Sequence, residues 1–206
     1  MAATTDRRHA FRRLHVSGCF VLPNPWDVGS ARYLQHLGFT ALATTSAGAA
    51  FTLGLPDSAV PRDTMLAHVR AIVEASDLPV NADFGSGYAH EPDEVADNVH
   101  RCVATGVAGL SIEDASGDPD RPFYPLDLAV ARIRAARAAI DATDADVVLT
   151  ARAERPWSRA PTLMKPSSGW SPMPRRAPTA STPRRRRRAR TSRPSCRRLR
   201  RSRSTC

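Results

Sequence analysis

From residue 20 to residue 154, short apolar runs alternate with stretches whose apolar side chains recur every three or four positions. The runs Phe20–Asn24, Thr40–Thr45, Leu78–Asp83, Gly109–Glu113 and Asp146–Ala151 predict strands. Their near-continuous apolar character is that of strands covered on both faces. Between them, Asp27–Leu37, Arg62–Ala75, Glu91–Thr105 and Leu126–Ile140 predict helices, the first closed by Gly38. Met65, Val69, Ile72 and Val73 share one face of the second; Val95, Val99, Cys102 and Val103 face inward on the third.

Five strand-then-helix units predict a parallel sheet. The strands end in polar residues: Asn24, Thr45-Ser46, Asp83, Glu113-Asp114 and Arg152. In a (β/α)₈ barrel those ends form the active-site mouth. A doubly wound sheet would also place ligands there. Neither a GxGxxG turn nor a P-loop is present, which favours the barrel. The expected fold class is α/β: an incomplete (β/α)₈ TIM-type barrel with about five of eight β/α units, followed by a disordered basic tail.

Charge divides the chain at Glu154. The formal net charge of +10 over 206 residues describes neither part. Residues 1–154 hold all 20 acidic residues beside 13 of the 30 basic ones, a charge of −7; residues 155–206 hold the other 17 basic residues, a charge of +17. The tail also carries 8 of the 17 prolines and few large apolar residues, a composition that does not build a core. Its five-arginine run, Arg184–Arg188, could hold nucleic acid phosphates without sequence preference. No aromatic residue follows Arg184, which argues against base stacking. No run approaches the roughly 18 apolar residues of a membrane helix. The polar start, Met1–Arg13, has no apolar core of a secretory signal. Cys19, Cys102, Cys196 and Cys206 are scattered without CxxC spacing, which fits a reducing cytoplasm rather than a zinc knot or disulfide scaffold.

Candidate chemistry sits at the strand ends. Asp83 and Glu113 end consecutive strands, and two carboxylates converging at a barrel mouth suit Mg²⁺, which takes oxygen ligands and keeps several waters. Asp57 could join them or hold a metal-bound water. Arg152 ends the fifth strand, and its guanidinium can grip a carboxylate or phosphonate with two parallel hydrogen bonds. Together these residues point to a small anionic substrate, with Mg²⁺ stabilising an enolate-like oxygen and Arg152 holding the acid group. Bland alternatives stand beside this. An acidic residue at a strand end is often only a helix cap, and Asp57 and Asp114 fit caps or turns. His36, His68 and His100 fall inside helices without a metal-ligand partner four residues on. His90, beside the Asp83 loop, is a candidate acid or base, and Trp26 could line the mouth or simply pack.

Five segments carry a resemblance: FVLPNPWDVGSA (20–31), TTSAGAAFTLGLPD (44–57), LPVNADFGSGY (78–88), GVAGLSIED (106–114) and LTARAE (149–154). In this order they resemble the isocitrate lyase/phosphoenolpyruvate mutase superfamily. The resemblance implies a (β/α)₈ barrel, usually a homo-oligomer with an exchanged C-terminal helix. It also implies Mg²⁺ and cleavage or rearrangement of a C–C or P–C bond in a small 2-oxo acid or phosphonate. It assigns Asp83 and Glu113 to the metal site, with Asp57 matching the aspartate after the second strand. Thr45, Ser46 and Ala47 match the loop that holds the substrate carboxylate, and Arg152 the substrate-binding arginine. Two departures stand out. Asn81-Ala82-Asp83 replaces the frequent Asp-x-Asp, removing one negative charge. The lyases' Lys-x-x-Cys-Gly-His segment is replaced by residues 116–122, which contain no cysteine, so the resemblance is to the mutase-like branch.

Residues 155–206 admit a second reading. Back-translated with GC-rich codons and regrouped by one nucleotide, Pro161–Thr182 can encode an amphipathic helix followed by a strand, like the superfamily's next unit. Arg200–Cys206 can likewise encode PKPVNVL. A single-nucleotide shift just after Glu154 explains both, and the tail is then an out-of-frame translation attached to a partial barrel. Such a chain would be an impaired or inactive truncated product.

Overall fold

The structure, a computed structural model, describes residues 2–154. In chain order the elements are α1 (Ala2–Leu14), α2 (Val28–His36), β1 (Leu42–Ala43), α3 (Ser46–Thr52), α4 (Arg62–Ala75), β2 (Val80–Asp83), α5 (Pro92–Val103), β3 (Gly109–Glu113), α6 (Leu126–Asp141) and β4 (Val148–Arg152). The strands pair in parallel in the order β1-β2-β3-β4. Every crossover therefore steps in the same direction, as in a barrel wall. A doubly wound sheet reverses direction at a switch point, and none occurs among these four strands.

The helix faces read from the sequence are the buried ones. Met65, Leu66, Val69, Ile72 and Val73 of α4 and Val95, Val99, Cys102 and Val103 of α5 lie in the core. They pack on Leu42, Val80, Ala82, Leu110 and Ile112 of the strands. Because side chains alternate along a strand, Asn81, Asp83, Gly109, Ser111, Glu113, Val148, Thr150 and Arg152 share the opposite, inner face. The register sets Gly109 beside Asn81 and Val148, Ser111 beside Asp83 and Thr150, and Glu113 beside Arg152. Charge is thus confined to the last two rungs, with Asp83 on one and Glu113 and Arg152 on the next.

One expectation needs correction. Phe20–Asn24 does not form the expected first strand. It lies beside β1 through one backbone bond, Ala43 N to Pro23 O at 3.0 Å, and through the Asn24 amide on the Ala43 carbonyl. Pro23 and Pro25 have no N–H to donate to a ladder, so the described sheet has four strands rather than five. The polar N-terminus, for its part, is a thirteen-residue helix, α1.

Helix α1 closes the bottom of the wall. Arg7 donates to the carbonyls of Val73 (3.1 Å) and Ser76 (2.9 Å), where α4 ends. Arg8 donates to the carbonyls of Val103 and Val107, both at 3.0 Å, where α5 ends. Those of Val73, Ser76 and Val103 lie at helix C-termini, where carbonyls lack i+4 partners, and that of Val107 lies in the turn into β3. Phe11, 1% exposed, clusters with Ala41, Ala108, Phe20, Leu22 and Val148. A Cβ on Gly109 would come within 2.5 Å of the Phe11 ring, so this glycine makes room for the plug.

Candidate active site

The inner-face residues at the strand ends meet in one ionic cluster. Asp83 Oδ2 accepts the backbone N–H and the hydroxyl of Ser46, both at 2.9 Å. Its Oδ1 accepts Arg152 Nη1 at 2.8 Å. Arg152 Nη2 lies 3.3 Å from Glu113 Oε2 and 2.5 Å from Glu154 Oε1. One guanidinium therefore spans the ends of β2 and β3 from the end of β4. The Asp83 and Glu113 side chains are only 18% and 19% exposed, whereas that of Arg152 is 39% exposed. Pairs this open to solvent contribute about 1 kcal/mol or less each to stability. The cluster is thus better explained as a binding feature than as a stabilising one.

Protonation follows the same geometry. Burial raises the Glu113 carboxyl above its ordinary range; Arg152 opposes this, and Asp83 and Glu154 add to it. Burial works against the charge on Arg152, but Asp83 and the two glutamates outweigh it, and the guanidinium is held more firmly charged than usual. Tyr88, packed 5.1 Å from Phe84, is pushed far up by burial and then by Asp83, so its hydroxyl stays a proton donor.

The other expected residues divide. Thr45 caps α3, its hydroxyl accepting Gly48 N at 3.1 Å, so its side chain shapes the loop. Ala47 lies half-buried in the first turn of α3 and brings no polar side chain. Asp57 is exposed, and its carboxylate takes the N–H of Ser58 at 2.9 Å. It reaches the cluster only as a field that further raises Glu113. Asn81 sits one rung below Asp83, buried, with its side-chain oxygen against Gly109. Its neutral amide suits that depth, where a lone carboxylate would be costly. Trp26 is exposed, with its Cβ near Gly48. Asp114 ties the two strand ends together, its N–H on the Arg152 carbonyl and its carboxylate on Glu154 N.

The sequence did not reveal what holds the loop after β2. Gly85, Gly87 and Tyr88 all have positive φ there, a strained choice for tyrosine. Buried Asn98 of α5 donates to the carbonyls of Gly87 (3.0 Å) and Tyr88 (3.3 Å). Arg132 of α6, 1% exposed, donates to the carbonyls of Ala89 and His90, both at 2.6 Å, and to that of Ser86. Its guanidinium also lies 3.9 Å from the centre of the Tyr124 ring. A polar residue amid an apolar helix stripe was the available signal for both. The loop walls a cavity of about 310 Å³ that Ser46, Tyr88, His90, Glu113 and Tyr124 line.

A metal fits this donor set within limits. Asp83 and Glu113 are hard oxygen donors, and the Arg152 guanidinium already stands between them as a cation. Among the described residues no three His, Cys, Asp or Glu side chains are placed to hold one metal ion together. That suits Mg²⁺, which is held by one or two carboxylates and keeps its waters, and not an all-protein cage.

Comparison with known proteins gives the family. The phosphoenolpyruvate phosphomutase family model matches residues 11–171. An uncharacterised protein of Mycobacterium tuberculosis (strain ATCC 25618 / H37Rv) is 37% identical over 153 residues, covering 73% of this chain and 55% of its own length. Oxaloacetate decarboxylase of Paraburkholderia xenovorans (strain LB400) is 33% identical over 162 residues, covering 74% of this chain and 52% of its own. Among solved structures, a provisionally assigned lyase/mutase of Burkholderia cenocepacia J2315 aligns with a TM-score of 0.72 at 47% identity, over 74% of this chain and 55% of that one. This chain spans about half the length of the curated relatives it matches. The chain belongs to the phosphoenolpyruvate phosphomutase family, within the isocitrate lyase/phosphoenolpyruvate mutase superfamily.

Proposed function

We propose that residues 1–154 are the metal- and substrate-binding part of a Mg²⁺-dependent lyase or mutase acting on C–C or P–C bonds of small 2-oxo acids or their phosphonate analogues. One observation carries the reading: Arg152 bridges Asp83 and Glu113 at the ends of three successive strands. Asp83 and Glu113 would hold the metal, with Asp57 reaching it through water. Bound there, Mg²⁺ supplies positive charge next to an oxygen on which an enolate-like anion develops. Arg152 holds the acid group in its planar fork. The Ser46 N–H and hydroxyl, now on Asp83, are the donors available to a substrate carboxylate in the Thr45-Ser46-Ala47 loop. The relatives support this substrate class, one of them being an oxaloacetate decarboxylase.

Titration calorimetry with oxalate, an enolate mimic, tests the reading. Oxalate should bind only with Mg²⁺ present. Asp83→Ala should remove binding, and Arg152→Lys, which keeps the charge but loses the fork, should weaken it about tenfold or more. Equal affinity across the three proteins would refute the site.

The tail assignments fall on residues 155–206, outside the described ones. We propose that the segment is an out-of-frame appendage and that the activity of this chain is impaired relative to a full-length member. In that case its nucleic acid binding is unspecific and falls steeply with salt. Homo-oligomerisation is proposed for a full-length member. Among the described residues no helix is long and apolar enough to cross a membrane.

A further inference from the structure

The cluster at the strand ends can bind and polarise an acid, but it is poorly equipped to move a proton. Arg152 stays charged, and Tyr88 is held protonated. Glu113 is engaged with Arg152. Where cleavage leaves an enolate-like anion, protonating its carbon needs a group that both gives and takes a proton near neutral pH, and histidine is the side chain suited to that.

We propose that His90, held by Tyr124, is the proton-transfer residue of this site. The proposal rests on the reading of the site given above. His90 lines the cavity that also takes in Glu113, Tyr88 and Ser46. It is exposed at the rim, whereas Tyr124 beneath it is buried, 6% exposed. Its Nδ1 lies 2.7 Å from the Tyr124 hydroxyl, with the two rings edge to face. That contact occupies Nδ1 and leaves Nε2, on the far side of the ring, for a ligand. Nε2 has no hydrogen-bond partner among the described residues.

Both members of the pair are fixed by one buried side chain. Arg132 binds the His90 carbonyl and lies over the Tyr124 ring. Asn98 holds the same loop from the other side, through Gly87 and Tyr88. A rim histidine with no task would not need its backbone and its hydroxyl partner held by the same buried guanidinium. The titratable and charged groups around the pair are Tyr88 and Glu113 across the cavity, Asp118 and Arg121 in the adjoining groove, Glu91 next in the chain and Arg132 below.

The step balances as follows. When the bond from C3 of a 2-oxo acid to its leaving group breaks, the electron pair stays on the C2–C3–oxygen framework. The protonated His90 then gives the Nε2 proton to C3, a C–H bond forms, and the imidazole is left neutral. Water at the open rim restores its proton, while Tyr124 keeps the ring oriented. Run backwards, the same transfer removes a C3 proton from pyruvate, so the pair should exchange pyruvate methyl protons with solvent.

The test follows loss of the pyruvate methyl signal by NMR in D₂O with Mg²⁺, alongside oxalate titration. Wild type should exchange faster than buffer. His90→Gln should lose on the order of 100-fold of that rate with oxalate affinity unchanged within about twofold. Tyr124→Phe keeps the ring over Arg132 and removes only the hydroxyl; it should shift the midpoint of the pH–rate profile. Exchange in His90→Gln equal to wild type, or wild type no faster than buffer while still binding oxalate, overturns the proposal and leaves the site reading intact. Should His90→Gln misfold, an unmoved pH profile in Tyr124→Phe overturns it instead. Failure of wild type to bind oxalate at all overturns the site reading, and this proposal with it.

Discussion

Replacing Arg132 by methionine keeps most of the side chain's length and removes its guanidinium from beneath the loop after β2. Three carbonyls, those of Ser86, Ala89 and His90, lose a charged donor, and the Tyr124 ring loses a cation 3.9 Å from its centre. Hydrogen bonds to a charged group contribute about 1.5–3 kcal/mol each, and a desolvated cation–π contact up to about 2 kcal/mol. The gross loss is therefore about 5–10 kcal/mol. Two effects reduce it. The carbonyls are only partly buried, so water can reach them once the guanidinium has gone. Burial also opposes the charge on Arg132, lowering its pKa, and methionine removes that penalty. A net loss of about 3 kcal/mol is expected, near the upper end for single substitutions. With a urea dependence of about 2 kcal/mol per molar for a domain of this size, the unfolding midpoint should fall by about 1.5 M. Arg134→Met, on the exposed side of the same helix, is the control and should stay within about 0.5 kcal/mol. A shift for Arg132→Met no larger than for Arg134→Met would refute the view that this arginine holds the loop.

Three further outcomes concern other parts of the described structure. Gly109→Ala places a methyl group 2.5 Å from the Phe11 ring and 2.7 Å from Asn81 Oδ1, and should destabilise by about 1–3 kcal/mol in urea; Gly109→Ala combined with Phe11→Leu should recover part of that. Burial pushes the Cys102 thiol up to about 12, while Cys19 is exposed; iodoacetamide at about pH 8 should label Cys19 in the native chain and Cys102 only after denaturation, read by peptide mass mapping. Burial lowers the pKa of His68, with Asp27 opposing. The unfolded chain therefore takes up that proton first, and stability held above the unfolded value of about 6.5 is lost as pH falls below it. Thermal melting should show this acid-side loss, and it should be smaller in His68→Leu.

Periodicity was sufficient where burial is one-sided. The α4 boundaries, the inner faces of α4 and α5, and the polar strand ends were all legible, because each depends on neighbours within one turn or one strand. Asp83, Glu113 and Arg152 were legible as a group because parallel strands in sequential order must bring corresponding ends together. Three features were not. Phe20–Asn24 has a strand's composition, but Pro23 and Pro25 deny it a ladder. Helix α1 offers little apolar periodicity, because arginines on distant carbonyls dock it as much as Phe11 does. Asn98 and Arg132 act on a loop far away in the chain, and no local pattern encodes that. The reading-frame assignment after Glu154 lies outside the described residues, while the family match itself runs on to residue 171.

The helix plugging the lower end of the sheet has a consequence for the order of assembly. The arginines of α1 reach carbonyls 66 to 99 residues further along the chain. On a ribosome, α1 emerges before α4, α5 and β3, yet its berth does not exist until they have followed. Contacts of such sequence separation close late, because the intervening loop must first be restrained. The helix is thus made before its berth and is among the last segments to dock, and until it does, Ala41, Ala108 and Val148 lack the Phe11 ring against them. An N-terminal extension or deletion would therefore act on the speed and yield of folding more than on the chemistry at the opposite end of the strands.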